Sequence, residues 1–160
     1  MSQNSLTAGL EDYIEAIYIA EINNKQLKCA ELARILNVSR ASVSEAIARL
    51  VSRSLVVYKS YGAVKLTPIG IGEAEKVYKK HNTLKLFFET VLGINPSEAS
   101  ENACKIEHII SPNVLDEITK FTVYCNKYPE IIDKYREEND NETNLSDRKV
   151  FRSAAFNSKD

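Results

Sequence analysis

A thiol, a carboxylate and an imidazole lie within five consecutive residues, Cys104-Lys105-Ile106-Glu107-His108. On an α-helix, residues three and four apart share a face, so Cys104, Glu107 and His108 point in similar directions. Thiolate, carboxylate and neutral imidazole together suit a first-row transition metal better than calcium or magnesium. Three donors do not fill an octahedral shell. We therefore expect the remaining ligands to come from other segments of the chain.

The segment around these donors has the start and stop signals of a helix. Asn95 is a favourable N-cap, Pro96 suits the first helical position, and Glu98 lies three residues after the cap. Ser111-Pro112 ends the segment. Its apolar stripe, at Ala99, Ala103, Ile106 and Ile110, is separate from the face that carries the donors. One face is thus expected to pack and the other to bind.

Candidate partners for these donors lie on two other predicted helices. Asp12 and Glu15 are three residues apart in a first amphipathic helix, from about Gly9 to Ile22. His81 lies in a longer helix that begins at Thr67-Pro68. Taken alone, the acidic pair is typical of a solvated flank, and His81 is typical of an exposed imidazole.

Two short helices with a three-residue turn follow the first helix. Residues 28–36 and 40–53 have helical periodicity, and Asn37-Val38-Ser39 separates them. Asparagine tolerates the left-handed conformation that such a turn uses, and Ser39 can cap the second helix. The pattern predicts a helix-turn-helix. The alternative is a pair of helices used only for packing.

A β-hairpin is predicted directly after this unit, which makes it a winged helix. The β-rich runs 55–59 and 63–66 flank Ser60-Tyr61-Gly62. Residues 34–68 carry six arginines and lysines against Glu45, a local charge of +5. With the hairpin, DNA binding is favoured over a solvated basic face. The predicted DNA-contacting residues are Ser39, Arg40, Ser42, Ser44, Arg49, Lys59, Tyr61 and Lys65.

Composition limits the class of protein. The chain has 160 residues, a net charge of −1 and three cysteines without a C-x-x-C pair. The odd, widely spaced cysteines argue against a secreted disulfide framework, and no apolar run is long enough to span a bilayer. No signal peptide is evident. The sequence predicts a cytoplasmic protein that does not associate with membranes.

The order of these motifs resembles the diphtheria-toxin-repressor and manganese-transport-regulator family of metal-dependent repressors. The resemblance covers about residues 9–128. It rests on residues 10–18, the winged helix, Leu66-Thr67-Pro68-x-Gly70, His81 and Cys104-x-x-Glu107-His108. The chain has no counterpart of the SH3-like domain of the longer iron-type members and resembles the short form.

The resemblance implies a mostly α fold: an N-terminal winged helix-turn-helix of three helices plus a β-hairpin, then a helical metal-binding and dimerisation domain. The expected boundaries are 1–72 for the DNA-binding domain, 73–136 for the second domain and 137–160 for a polar tail that includes at most a short docking helix. The implied metal ligands are Asp12, Glu15, His81, Cys104, Glu107 and His108. Cys104 matches the iron-type members, whereas Asp12 matches the manganese-type members.

The implied function is repression of metal-uptake genes by a homodimer that Fe(II) or Mn(II) orders for binding a palindromic double-stranded operator. Zn(II) or Co(II) can replace these ions in vitro. No catalysis is expected. Three alternatives remain open: a winged-helix regulator that responds to an organic ligand or an oxidant at Cys104, a metallohydrolase with Glu107 as base, and an ion that is only a structural staple.

Overall fold

The computed structural model describes residues 6–59 and 62–142, with side chains up to residue 138. Its elements are α1 (Ala8–Ile22), α2 (Cys29–Ile35), α3 (Arg40–Ser52), β1 (Val56–Tyr58), β2 (Val64–Leu66), α4 (Pro68–Thr90), α5 (Pro96–Ile106), α6 (Pro112–Lys127) and α7 (Pro129–Glu142). The predicted fold class, a winged helix followed by further helices, is confirmed. None of these helices is long and apolar enough to cross a bilayer.

The turn between α2 and α3 forms for local reasons. Asn37 has a φ of 52°, the left-handed conformation that its residue type was expected to accept. The Ser39 side chain accepts a hydrogen bond from the backbone N–H of Ser42 at 3.0 Å, which caps α3. Val43, Ile47 and the rest of the buried face of α3 then join the core.

Helix α1 lies at the centre of the N-terminal core. Its buried face includes Leu10, Ile14 and Ile17, which pack with apolar residues of α2, α3, the hairpin and the start of α4. The periodicity that buries these residues turns Asp12 away from the core, and it places Glu15 at the edge of the core facing α4 and α5. The orientation of the acidic pair is therefore set by packing.

The base of the wing is bonded to α1. Strands β1 and β2 pair antiparallel, with Val56 opposite Leu66. The Glu21 carboxylate, near the end of α1, accepts a hydrogen bond from the backbone N–H of Leu66 at 3.0 Å. The Val64 N–H donates to the carbonyl of Leu27 at 2.9 Å. These bonds hold the hairpin against the helix that carries Asp12 and Glu15.

A close approach of two backbones explains why α4 contains a glycine in its first turn. Thr67 caps α4 by accepting from the N–H of Gly70 at 3.0 Å. A Cβ atom built on Gly70 would lie 1.9 Å from the carbonyl oxygen of Leu55. Gly72, two residues later, has open space around the same position. The loss of helix propensity at Gly70 is therefore required by packing against the strand entry.

The later helices start where their caps predict, but α5 ends at Ile106, before the Ser111-Pro112 stop expected from the sequence. Gly93 has a φ of 68° just after α4, and Asn95 accepts from the N–H of Glu98 at 3.0 Å to cap α5. Helix α7 continues to Glu142, so residues 137–142, assigned to the polar tail by the sequence, are helical. The docking helix considered for the C-terminal end falls outside the described residues.

The chain forms two compact units, Met1–Thr119 and Lys120–Asp160. All the residues proposed from the sequence to bind metal or DNA belong to the first unit. Cys125, in the second, is buried with 1% of its surface exposed, as expected of a small hydrophobic side chain.

Substitution of the two α4 glycines tests the close approach. Gly70→Ala is expected to lower the free energy of unfolding by about 2–3 kcal/mol, because its methyl group overlaps the Leu55 carbonyl. Gly72→Ala is the matched control and should raise it by about 0.5–1 kcal/mol through better helix propensity. Urea denaturation with chelator present measures both. Equal effects of the two substitutions would contradict this account.

Candidate metal centre

Three helices bring all six predicted metal ligands together. Asp12 and Glu15 come from α1, His81 from α4 and Cys104 from the last turn of α5, whereas Glu107 caps α5 and His108 follows it in the turn beyond the helix. Taken alone, the acidic pair was typical of a solvated helix flank. Glu15 is only 7% exposed, so that interpretation does not hold for it. His81 is likewise partly buried and faces other donors.

The donors form two adjacent groups. Asp12, Cys104, Glu107 and His108 each offer a ligand atom within 4.8 Å of the others. Glu15, His81 and Glu107 form a second group with the same limit. Glu107 belongs to both groups, so the two candidate ion positions share one carboxylate.

Glu107 is fully buried, and its two carboxylate oxygens face different groups. Oε2 is hydrogen-bonded to Nδ1 of His81 at 2.8 Å. Oε1 lies 3.5 Å from Nε2 of His108 and has no hydrogen-bond partner among the described residues. Glu107 also caps α5, and its carbonyl oxygen accepts from Nζ of Lys80 at 3.2 Å. The backbone of Glu107 is therefore fixed, and its side chain directs one oxygen toward each donor group.

Glu15 is a second buried carboxylate with an unpaired oxygen. Its Oε1 has no hydrogen-bond partner among the described residues. Burial, reinforced by the negative charge of Glu107, raises the pKa of Glu15 from 4.5 to about 7. Near neutral pH this side chain is thus divided between its protonated and charged forms.

His108 lies between two neighbouring carboxylates of α1. Its Nε2 is 2.9 Å from Oδ1 of Asp12, and its Nδ1 is 2.7 Å from Oε2 of Glu11. Burial lowers the pKa of His108, but the Glu11 hydrogen bond and the charges of Asp12 and Glu107 outweigh burial and raise it overall. For Asp12, burial raises the pKa of the carboxyl group. This effect outweighs the charge of His108 and its hydrogen bond, which lower the pKa.

The hydrogen bond from His81 to Glu107 raises the pKa of His81 above 6.5. For the Cys104 thiol, burial and then the charges of the nearby carboxylates, Glu107 first, raise the pKa to about 11. The thiol is therefore protonated at neutral pH, and a cation beside it is needed to favour the thiolate.

A divalent transition-metal ion fits this arrangement. Two buried carboxylate oxygens have no partner among the described residues, and three carboxylates repel one another in a small volume. The set contains two imidazoles and one thiol, which are ligands of first-row transition metals and not of magnesium. The structure thus supports the donor chemistry expected from the sequence.

A cavity of about 530 Å³ opens beside the centre. Its lining includes the donors Asp12, Glu15 and Cys104 together with apolar side chains such as Ile19 and Leu27. Three of the six expected donors therefore border this cavity.

Sequence reasoning missed Glu11 and Ser100. The Ser100 hydroxyl lies 3.3 Å from Nε2 of His81. Ser100 precedes Cys104 by four residues, so the helical spacing could have placed it on the donor face. Glu11 precedes Glu15 by four residues, so the same spacing could have placed it beside the acidic pair, but only the tertiary structure brings it to His108.

The predicted DNA-contacting side chains are exposed wherever the structure describes them. Those on α3 and its cap are Ser39, Arg40, Ser42, Ser44 and Arg49, and those on the wing are Lys59 and Lys65. Tyr61 lies outside the described residues. Four of these side chains have local partners: the Ser39 and Ser42 hydroxyls are 2.8 Å apart, Ser44 donates to the Arg40 carbonyl, and Arg49 pairs with Glu45 at 3.9 Å.

Two protein-family models match successive parts of the chain. Residues 5–64 match the N-terminal DNA-binding domain of iron-dependent repressors, and residues 67–135 match their metal-binding and dimerisation domain. A helix-turn-helix transcriptional regulator of Methanocaldococcus jannaschii is 38% identical over 72% of this chain and 94% of its own length. The transcriptional regulator MntR of Geobacillus thermodenitrificans is 30% identical over 74% of this chain and 83% of its own length.

Solved structures agree. The chain matches IdeR of T. acidophilum with a TM-score of 0.64 and 30% identity, over 73% of this chain and 54% of that one. It matches a manganese-dependent transcriptional repressor in complex with manganese with a TM-score of 0.67 and 28% identity, over 72% of this chain and 53% of that one. The chain spans about half the length of these solved chains. With its winged helix followed by a helical donor-bearing domain, the chain belongs to the iron-dependent repressor family of metal-dependent, DNA-binding transcriptional repressors.

Proposed function

We propose that this chain is a cytoplasmic repressor of metal-uptake genes whose homodimer binds a palindromic operator when Fe(II) or Mn(II) occupies the centre built around Glu107. The observation that supports this most directly is the fully buried Glu107 carboxylate, each oxygen of which faces a different donor group. The role is regulatory, and no residue is assigned to catalysis.

In this proposal the six donors hold two ions per chain. Asp12, Cys104, Glu107 and His108 bind one ion, and Glu15, His81 and Glu107 contribute to the other. A bound divalent cation offsets the repulsion among the carboxylates and supplies bonds to donors of α1, α4 and α5. The side chains of Glu15 and Glu107 thereby gain partners for their unpaired oxygens.

The identity of the ion follows from the mixture of donors. The carboxylates suit manganese and iron, whereas the Cys104 thiolate favours iron, cobalt or zinc over manganese. Fe(II) is acceptable to both sets. Zn(II) is expected to bind more tightly in vitro than either physiological candidate, by the usual order of affinities. The related regulators named above include both iron-type and manganese-type proteins.

The DNA surface consists of α3 and the wing. Arg40 and Ser44 are exposed one turn apart near the start of α3, where a recognition helix meets base edges in the major groove. Lys59 and Lys65 are exposed on the hairpin and can contact phosphates. Two such units in a dimer would meet half-sites about 34 Å apart, which is why a palindromic operator is proposed.

The dimer interface is proposed to lie within residues 73–136. Helix α4 exposes Leu86, and Leu92 is exposed just beyond its end. Exposed large apolar side chains are available to pack against a partner subunit. The match of residues 67–135 to a metal-binding and dimerisation domain supports the same assignment.

Helix α1 is the physical link between metal and DNA. Its first half carries Asp12 and Glu15, and near its end Glu21 holds the N–H of Leu66 at the base of the wing. Between them, the Tyr18 hydroxyl donates to Glu75 of α4 at 3.3 Å. When the acidic pair is drawn to the donors of α4 and α5, the same helix fixes the position of the wing.

The energy required is substantial but attainable. Moving a chain from 1% to 99% in its DNA-binding form takes about 5.5 kcal/mol of differential binding. Donors on α1 bind only when this helix is in place against α4 and α5, so their bonds contribute to that difference.

Regulation by an oxidant at Cys104 is less well supported, because a thiol with a pKa of about 11 is a poor nucleophile. An organic effector would have to occupy the cavity beside Asp12 and Cys104. In that case operator affinity would not respond to metal titration.

Metal-dependent DNA binding tests the proposed function. The wild-type chain should shift DNA from the control region of a metal-uptake gene with Mn(II) or Fe(II) and not with chelator. Equilibrium dialysis should give two ions per chain for the wild type, one for Glu15→Gln and none for Glu107→Gln. Glu107→Gln should also weaken metal-dependent DNA binding at least about 100-fold, because it removes the shared carboxylate charge.

Glu101→Gln is the matched control for Glu107. Glu101 lies on the same helix but is exposed and pairs only with Lys105 among its described ion-pair partners. It should behave as the wild type. Equal DNA binding with metal and with chelator would contradict the proposal.

The pH dependence of the metal-free chain follows from the raised pKa values. A folded chain in which Glu15 has a pKa of about 7, against 4.5 in isolation, holds a proton that the unfolded chain releases. The resulting stabilisation is present below pH 4.5 and is lost as the pH rises to 7; the raised pKa of His81 acts in the same direction at higher pH.

In chelator, the free energy of unfolding should therefore fall between pH 5 and pH 8. The part of this fall that is due to Glu15 should be on the order of 2–3 kcal/mol. Glu15→Gln should remove that part of the slope. Metal affinity should change in the opposite sense and increase with pH, because protons compete with the ion. Thermal or urea denaturation across this pH range measures the first effect. A slope identical in wild type and Glu15→Gln would refute the assignment.

Glu21→Ala tests the role of α1 as the link to the wing. Loss of its hydrogen bond to the Leu66 N–H should leave metal affinity within about twofold of the wild type but lower operator affinity about 10-fold at saturating Mn(II). Isothermal titration and fluorescence anisotropy measure the two affinities. Glu73→Ala, an exposed carboxylate paired with Lys76, is the control. The idea fails if operator affinity is unchanged, or if metal affinity falls in parallel.

A further inference from the structure

The imidazole of His108 is held between carboxylates on both of its edges. Its Nδ1 lies 2.7 Å from Oε2 of Glu11. Its Nε2 lies 2.9 Å from Oδ1 of Asp12 and 3.5 Å from Oε1 of Glu107. A histidine binds an ion through one nitrogen, and the other nitrogen then carries a hydrogen. The groups around the two nitrogens determine which one binds the ion and which one carries the hydrogen.

Nε2 is the nitrogen that faces the ion. Both of its carboxylate neighbours, Asp12 and Glu107, belong to the same donor group as His108. Glu11 belongs to neither donor group among the described residues. The Nδ1 side of the ring is therefore directed at a carboxylate that lies outside the candidate ion positions.

The Glu11 contact is also sheltered enough to be specific. The His108 side chain is 10% exposed and the Glu11 side chain 19% exposed. Water competes weakly for a hydrogen bond between groups this far buried, so the contact is stronger than an exposed pair.

We propose that Glu11 is a positioning residue of the metal centre: it accepts the Nδ1–H of His108 and so directs Nε2 at the ion. This inference rests on the proposed function, because it needs an ion at the Asp12 group. The Glu11 carboxylate fixes the rotation of the ring, selects one tautomer and makes Nε2 a stronger donor.

The arrangement also ties α1 to the end of α5. Glu11 and Asp12 are consecutive residues that reach opposite edges of one imidazole. A shift of α1 along or about its axis would break at least one of the two contacts. Glu11 thus helps to set the register in which α1 presents Asp12 and Glu15 to the other donors.

Metal affinity of two Glu11 variants separates positioning from direct ligation. Glu11→Ala should weaken binding of Zn(II) and Mn(II), used as the probes, by about 10- to 100-fold. Glu11→Gln should weaken it only a few-fold, because its amide oxygen still accepts from Nδ1–H. Melting temperatures in chelator show whether either variant is unfolded. Glu101→Ala, an exposed carboxylate on α5, is the control and should bind as the wild type.

The tautomer itself gives a readout that a merely structural role would not change. The chain has only two histidines, so long-range ¹H–¹⁵N spectra of the Zn(II)-loaded protein are simple, and a His81→Gln sample assigns them. His108 should show a protonated Nδ1 and a metal-bound Nε2 in the wild type and in Glu11→Gln. In Glu11→Ala this signature should weaken or broaden.

Three outcomes would overturn the inference. These are a zinc-bound Nδ1 in the wild type, an unchanged affinity in Glu11→Ala, or equal losses in Glu11→Ala and Glu11→Gln, which would indicate that Glu11 is itself a ligand. A wild-type chain that binds neither Zn(II) nor Mn(II) would instead contradict the proposed function, on which the inference depends.

Discussion

The buried carboxylate of Glu107 is the constraint on which the rest of the centre depends. A charged group with no exposed surface is costly unless it is paired, and the neighbours of Glu107 include two more carboxylates, Asp12 and Glu15. The two histidines and the raised pKa of Glu15 reduce this cost by retaining protons. In the proposed function a bound cation replaces these protons. The stability of the contact among α1, α4 and α5 would then depend on which of them is bound.

Helix α1 turns this local balance into a property of the whole first unit. Its apolar face is part of the winged-helix core, its acidic residues face α4 and α5, and Glu21 is bonded to the wing. A single helix of 15 residues therefore belongs to both the DNA-binding and the metal-binding parts. Because a short helix is nearly rigid, the proposed mechanism needs no further element between Glu15 and the hairpin.

Much of the fold and half of the expected donor set followed from local patterns. The caps at Ser39, Thr67 and Asn95, the turn residue Asn37 and the alternation of the hairpin each predicted an element that the structure contains. All six residues expected to bind an ion converge, although three of them, Asp12, Glu15 and His81, were identified as partners only through resemblance to a known family. Periodicity could assign Asp12 and Glu15 to one side of a helix, but it does not reveal what packs against that side.

By itself, the sequence determined which helices and strands form, where their caps start them and that Cys104, Glu107 and His108 lie close together, because these depend on residues within a turn or two of one another; the ends of α5 and α7 it did not determine. Only the tertiary structure decided that Glu107 serves two donor groups, that Glu11 holds the far edge of His108, and that Gly70 must lack a side chain. Each of these depends on a contact between segments at least 15 residues apart in the chain. Such contacts are set by how the helices pack, and no local spacing encodes them.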